Sequence, residues 1–512
     1  MKKIYLSLML LGAVAFTSCD MDTKPYGSLD EDTAIESGKD LRSFRNQVYS
    51  YLRSVTSGSW VYYTDIQMDE FHGLISNGNQ LGQFSKGTFT ASDDDIEGKW
   101  ASGYSMIATC NSFLDHCEKM LADENITAAN KSLYERYEGE AKFARAYMYF
   151  WLADHFCQSY TQTDPNKAAS GLPMTTTYNP TGDVKQYPSR STLNETFSQI
   201  ENDLNDSYTA LKAYEASGAK DVAALLQPNS NYLSSYAVEA LQARIALVKG
   251  DWATAQSKAE DVINNGNYSL VTIDDYANYW TNDKGTENIF LPYMSSEELG
   301  GSIGGIYLSD NQTSAWYIPT YGTLSLFEDG DVRFDTYFTQ YDNLTVEGTS
   351  YGAFVFNKFP GNPALRKSEK NNFVNMSKPF RLSEMYLIAA EAAARQNRTQ
   401  VGADYLNSFR SYRINGYESE TFENSQELLS AVLAEREKEF LGEGMRWSDL
   451  RRTHTGFERY ASHEDNPDLD DVVVAAGQSL SYAADDHRFT WPIPKTELDS
   501  NPSLKGQQNP GY

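Results

Sequence analysis

Residues 232–270 read YLSSYAVEALQARIALVKGDWATAQSKAEDVINNGNYSL, and this stretch decides the fold. Leu241, Ile245 and Val248 recur at spacings of four and three. Trp252, Ala255, Ala259 and Val262 then recur at three, four and three. Both are helical periods that gather an apolar stripe on one face. Between them stands Lys249-Gly250-Asp251. Glycine takes the left-handed conformation that ends a helix, and aspartate caps the next one. The stretch therefore predicts two antiparallel helices joined by a minimal turn, with alanines letting the backbones come close.

The same periods recur outward from this hairpin. Leu41–Val55, Ile96–Met120, Leu133–Phe156, a helix opened by a Thr192/Glu195 capping box, Arg381–Arg395, Val401–Tyr412 and a helix from Asn424 to Leu441 all carry them. The Gly442-Glu443-Gly444 stretch stops the last of these, and Arg446–Arg452 adds a further turn. Between helices, Trp60–Ser92, Ser159–Arg190, Tyr268–Phe380 and His463–Arg488 are expected as irregular loops. A solenoid would hold one fixed repeat length. Here long insertions break the period, so the expectation is one compact domain with a helical scaffold and a loop-built face.

Bulk properties exclude several functions. A net charge of −27 argues against a nucleic-acid surface, which needs clustered Lys and Arg. The mean hydropathy of −0.55 marks a soluble chain. Cys110 and Cys117 lie about two helical turns apart, roughly 10 Å, too far for a disulfide. They and Cys157 are expected as buried small hydrophobes, and no cysteine or histidine spacing suggests a metal site or another cofactor. There is no HExxH, no GxSxG and no phosphate-binding glycine loop. Glu435 and Glu439, one turn apart beside Arg436 and Lys438, are expected to be surface or helix-packing charges rather than a catalytic pair.

The start of the chain is a basic Met1-Lys2-Lys3 followed by an apolar run to Phe16, too short to span a membrane. It ends Phe16-Thr17-Ser18-Cys19, which resembles a bacterial lipoprotein signal. Residues 1–18 are thus expected as a signal peptide, Cys19 as the lipidated residue, and 19–40 as anchor and tether. The acidic residues after Cys19 resemble a surface-export signal.

The end of the chain is the most specific feature. Phe489-Thr490-Trp491-Pro492-Ile493-Pro494, Asn501-Pro502 and the closing Gln508-Asn509-Pro510-Gly511-Tyr512 resemble the SusD/RagB family of Bacteroidetes outer-membrane lipoproteins. RLSEMYLIAAEAAAR at 381–395 resembles its central helix, and LAEREKEFLGEGMRWSDLRR at 433–452 its glutamate-rich helix and the turn after it. The 232–270 hairpin resembles one of its tetratricopeptide units. The resemblance implies a mainly α fold, with tetratricopeptide-like hairpins as scaffold and a loop-rich face with a few short strands. It implies a single domain over 41–512, with parts at 41–230 and 231–512. It also implies a non-catalytic lipoprotein on the outer face of the outer membrane. Such a protein captures an oligosaccharide, in some members a peptide, for a SusC-like TonB-dependent transporter. A glycan-active enzyme and a periplasmic helical-repeat adaptor are the alternatives from other classes.

A sugar presents an apolar C–H face and a polar rim, so its site needs flat aromatics on loops and a few hydrogen-bonding groups. Two stretches qualify. The first is Trp60 and Tyr63 through Asp69-Glu70-Phe71 to Phe84; the second is Tyr293 through Trp316 and Tyr317 to Tyr321. Trp100 is added because it lies near an arc position of starch-binding relatives. Asn311, Gln312 and Arg333 are candidates for polar contacts. Trp447 and Trp491 are assigned to packing.

Overall fold

The turn at Lys249–Asp251 takes the expected form in the computed structural model, which describes residues 35–75, 80–459, 466–474 and 481–512. Gly250 sits at φ +76°, and the Asp251 carboxylate accepts from the Thr254 N–H at 3.2 Å. The expected signal peptide and Cys19 lie outside the described residues.

The longer helices are α1 (Gly38–Val55), α2 (Ser59–Gln67), α3 (Asp94–Leu121), α4 (Ala128–Phe156), α5 (Leu193–Glu215), α6 (Ser235–Lys249), α7 (Trp252–Asn265), α8 (Leu382–Arg395), α9 (Thr399–Arg410), α10 (Ser425–Glu439) and α11 (Met445–Thr453). They pack as neighbours: α4 on α3 and α5, α7 on α6 and α8, and α8 on α9 and α10. Small residues set the spacing. Ala389, Ala390, Ala392 and Ala393 on α8 are fully buried. A Cβ on Gly402 of α9 would stand 2.8 Å from the Ala390 carbonyl oxygen. This is the mainly α, hairpin-built scaffold that the sequence predicts. The capping box at Thr192 and Glu195 is present, and Asn424 caps α10 by accepting from Gln426 and Glu427. Cys110, Cys117 and Cys157 are free and buried.

Short two-stranded ribbons sit on this scaffold. They pair β1 (Phe71–Gly73) with β3 (Tyr317–Pro319), β2 (Asn288–Phe290) with β6 (Phe380–Arg381), and β4 (Phe338–Val346) with β5 (Thr349–Phe356); β7 (Phe457–Glu458) pairs with β8 (Ser481–Tyr482). Two expected loops are therefore corrected. Residues 60–92 contain α2 and β1, and helical periodicity fails to reveal α2 because every residue from Tyr63 to Met68 is buried. A helix buried around most of its circumference carries no amphipathic stripe. Residues 268–380 contain the β4–β5 hairpin, in which Leu344, Val346, Ala353 and Val355 are buried at alternate positions of the two strands.

The closing motif has a structural task. Asn509 Nδ2 donates to the Phe156 and Trp491 carbonyls, both at 2.7 Å, and its Oδ1 accepts from Arg190 at 2.8 Å. Gln508 closes a two-way pair with the backbone of Ile493. Trp491, fully buried, packs against Trp151, His155, Phe156 and Trp447. The chain end thus pins α4 to α11. Asn509→Ala should cost about 2–4 kcal/mol, because it leaves two buried carbonyls and part of a guanidinium unsatisfied. The urea midpoint measures this, and an unchanged midpoint would remove the pinning role.

Candidate functional site

The β1–β3 ladder joins the two aromatic stretches. Phe71 faces Pro319, His72 faces Ile318 and Gly73 faces Tyr317. Side chains reinforce the join: Thr320 Oγ1 donates to the Asp69 carbonyl at 3.1 Å and Thr323 Oγ1 to that of Glu70 at 2.9 Å. Segments some 250 residues apart in the chain are thereby held side by side.

At the Thr320 end of this ladder lies an open pocket of about 620 Å³ lined by Asp69, Thr320, Tyr321, Gly322, Thr323, Ser325, Leu326, Glu437, Arg446 and Glu458. That volume falls within the range of small-ligand sites. Arg446, at the start of α11, organises its polar wall. Its Nε and Nη2 bond both oxygens of Asp69, at 2.9 and 2.6 Å, and its Nη1 meets Glu437 at 2.8 Å. Burial pushes the Glu437 carboxyl up to about 7; Asp69 and Asp449 add to the rise and Arg446 opposes it. Glu70 stands behind the wall, 1% exposed, and its Oε2 accepts no hydrogen bond from the described residues. Burial, reinforced by Asp65 and Asp69, raises its pKa well above the carboxylate range.

A second, smaller cavity of about 110 Å³ lies among the helices, lined by Trp60, Trp151, His155, Arg244, Trp280, Glu443 and their neighbours. It is well below the several hundred cubic ångströms of a typical ligand site. Among the described residues, no group of three or more His, Cys, Asp or Glu is placed to hold a metal ion.

The predicted site residues separate sharply. Tyr321 lines the large pocket. Trp316 is half-buried just before β3, and Tyr293 is 51% exposed on a loop. Asn311 is exposed, but its Oδ1 accepts from Ser309 Oγ and the Thr313 N–H, so it shapes its own turn. Gln312 is exposed beside it in the left-handed region, φ +54°.

The others are occupied inside the protein. Tyr317 is fully buried and donates to the Gln80 carbonyl at 2.6 Å. Tyr63 is buried and donates to Asp95 at 2.6 Å. Trp60 is half-buried with its ring 4.5 Å from that of Trp151, and the Lys99 ammonium sits 4.4 Å from the Trp60 ring and 4.7 Å from the Tyr63 ring. Trp100, 3% exposed, packs on Tyr104 and Phe156 and donates to Glu497. These aromatics spend their faces on packing and on a buried cation.

Arg333 is the clearest correction. It is fully buried and bonds Asp331 at 2.7 Å and Glu435 at 2.6 Å. Glu435 and Glu439 are likewise fully buried rather than surface charges. They belong to a cluster in which Asp331, Glu287, Glu435, Glu439 and Glu443 face Arg333, Arg381, Arg410, Arg413 and Lys358. Burial opposes ionisation, but Arg333, Lys438 and Arg410 outweigh it and draw Glu435 down to about 2. Arg413, Arg381 and Arg333 hold Glu439 lower still. The spacing of these residues identifies a helix face, but their cationic partners come from three other segments, at Arg333, at Arg381 and at Arg410 to Arg413.

Sequence reasoning missed Asp69, Glu437 and Arg446 as pocket residues. Asp69 lies within one of the quoted stretches, yet nothing local marks it as facing a cation 377 residues away.

The fold is a helical-repeat scaffold that carries an open, polar, partly aromatic pocket beside the β1–β3 ladder. The chain belongs to the SusD family: the model of that name matches residues 249–512. A second family model, described as starch-binding and associating with the outer membrane, matches residues 21–247. The chain is 21% identical to SusD-like protein P38 of Formosa agariphila, over 99% of this chain and 98% of that one. It is similar to the crystal structure of a SusD superfamily protein from Bacteroides thetaiotaomicron, with a TM-score of 0.76, 25% identity, and coverage of 92% and 99% of the two chains. It is also similar to a Bacteroides vulgatus protein named for sugar binding, with a TM-score of 0.73, 26% identity, and coverage of 94% and 100%. No helix among the described residues is long and apolar enough to cross a membrane.

Proposed function

We propose that this protein captures an oligosaccharide or polysaccharide at the cell surface and passes it, unmodified, to a SusC-like TonB-dependent outer-membrane transporter. Lipidation at Cys19 holds it on the outer membrane, facing outward. Acyl chains contribute about 0.8 kcal/mol per buried CH₂, so a multiply acylated cysteine is a firm anchor. The observation that carries the reading is the open pocket at the β1–β3 join. There Tyr321 offers a flat ring, and Asp69, Glu437 and Arg446 offer planar polar groups suited to pairs of adjacent hydroxyls. Family membership supports the glycan class. Both Asp69 oxygens are taken by the Arg446 guanidinium in a bidentate pair, an arrangement that suits fixed binding geometry.

The test is native electrophoresis of the chain lacking its first 19 residues through gels containing a panel of polysaccharides, with a parallel assay for new reducing ends. Retardation without new ends supports the reading, and turnover overturns the binding role. Binding of peptides with no retardation by any glycan would replace the ligand class. Proteolysis of intact cells addresses location: removal from the surface is expected, and full protection would favour a periplasmic adaptor.

A further inference from the structure

We infer that the pocket selects glycans free of anionic groups and rejects those carrying carboxylate or sulfate. This rests on the binding reading above and names the ligand chemistry of the same site.

The argument is one of charge. Three carboxylates (Asp69, Glu437 and Glu458) line the pocket against one guanidinium, that of Arg446. Three of the five Arg446 N–H donors are already taken, two by Asp69 and one by Glu437. The cation is therefore neutralised in place. It has no surplus positive charge to clamp a uronate or a sulfate, which is the usual task of an arginine in an anion site. An entering anion would lose its hydration shell and face like charges at short range, which opposes its binding. A neutral sugar loses less, because its hydroxyls donate to those same carboxylates. The net charge of −27 extends the repulsion beyond the pocket.

The experiment is titration calorimetry of the chain lacking its first 19 residues. It uses pairs of oligosaccharides of matched length and linkage, one neutral and one bearing uronate or sulfate. The neutral member is expected to bind at least tenfold more tightly at low salt, with the gap narrowing at high salt as the field is screened. Glu437→Gln and Glu458→Gln should each narrow the gap at low salt. Glu458 is exposed, so its variant tests the charge without disturbing the core. Equal or tighter binding of the anionic members overturns the selectivity while leaving a glycan site in place. Binding of neither member overturns the reading of the site, and the selectivity falls with it.

Discussion

Glu439→Gln should lose about 3–5 kcal/mol of folding stability, among the largest effects expected of any single substitution in this chain. Glu439 is fully buried and receives Arg381 at 2.6 Å and Arg413 at 3.1 Å, with Arg333 at 3.4 Å. The amide has the size of the carboxyl but no charge. It takes one charged partner from three buried guanidiniums, which keep only Asp331, Glu435, Glu287 and Glu443, and points an N–H₂ donor at other donors. Urea unfolding followed by tryptophan fluorescence measures the loss. Glu418→Gln, on an exposed residue, is the control and should stay within about 0.5 kcal/mol. A change below about 1 kcal/mol at Glu439 would show that the cluster adds little.

The same cluster sets a pH response. Glu435 is drawn to about 2, and Glu439 lies lower. A carboxylate whose folded pKa is depressed adds stability above its unfolded value, near 4.5, and that stability disappears as pH falls through the folded value. The protein should therefore weaken progressively from about pH 4.5 towards 2. The Glu439→Gln variant should show a shallower decline, because one of the responsible groups is gone.

Tyr321→Ala should weaken glycan binding at least tenfold, equivalent to about 1.4 kcal/mol, the scale of an aromatic anchor in a ligand site. Tyr321 is half-buried and lines the pocket, so truncation removes a ring from its wall and leaves the β1–β3 ladder intact. Trp316 supplies a length test. Five residues of extended chain place it no more than roughly 16 Å from Tyr321. A long ligand that reaches both should lose affinity on Trp316→Ala, whereas a disaccharide should not. Calorimetry on ligands of increasing length separates the cases. Undiminished affinity of Tyr321→Ala for every ligand would move the site away from this pocket. Tyr317→Ala is the structural counterpart: that ring is fully buried, so its loss should appear as destabilisation of about 3–5 kcal/mol.

The local features were legible because their causes are local. Gly250 and Asp251 make a turn through their own backbone freedom and side-chain reach, and the stripes of α6 and α7 record which face is buried. The closing Gln-Asn-Pro-Gly-Tyr motif was legible as a family feature, but its meaning was not. Asn509 acts on Phe156 and Arg190, 353 and 319 residues away in the chain, as well as on the nearer Trp491. Helix α2 escaped because burial around most of its surface erases the period. Arg333 was misread because a polar residue in an irregular stretch looks the same whether it faces solvent or a partner, and Trp100 because its helix does not reveal that Tyr104, Phe156 and Glu497 cover its ring.

By itself the sequence determined the helical scaffold, its capped turns and its family. Each of these follows from residues within a few positions of one another, or from motifs in a recognisable order. Only the tertiary structure decided which aromatics remain open to a ligand and which carboxylates meet in one pocket. Exposure and ion pairing depend on contacts between segments hundreds of residues apart, and no spacing along the chain encodes the angle at which Asp69 meets Arg446. The hairpin at 232–270 is legible in isolation; the pocket exists only once β1 and β3 are paired.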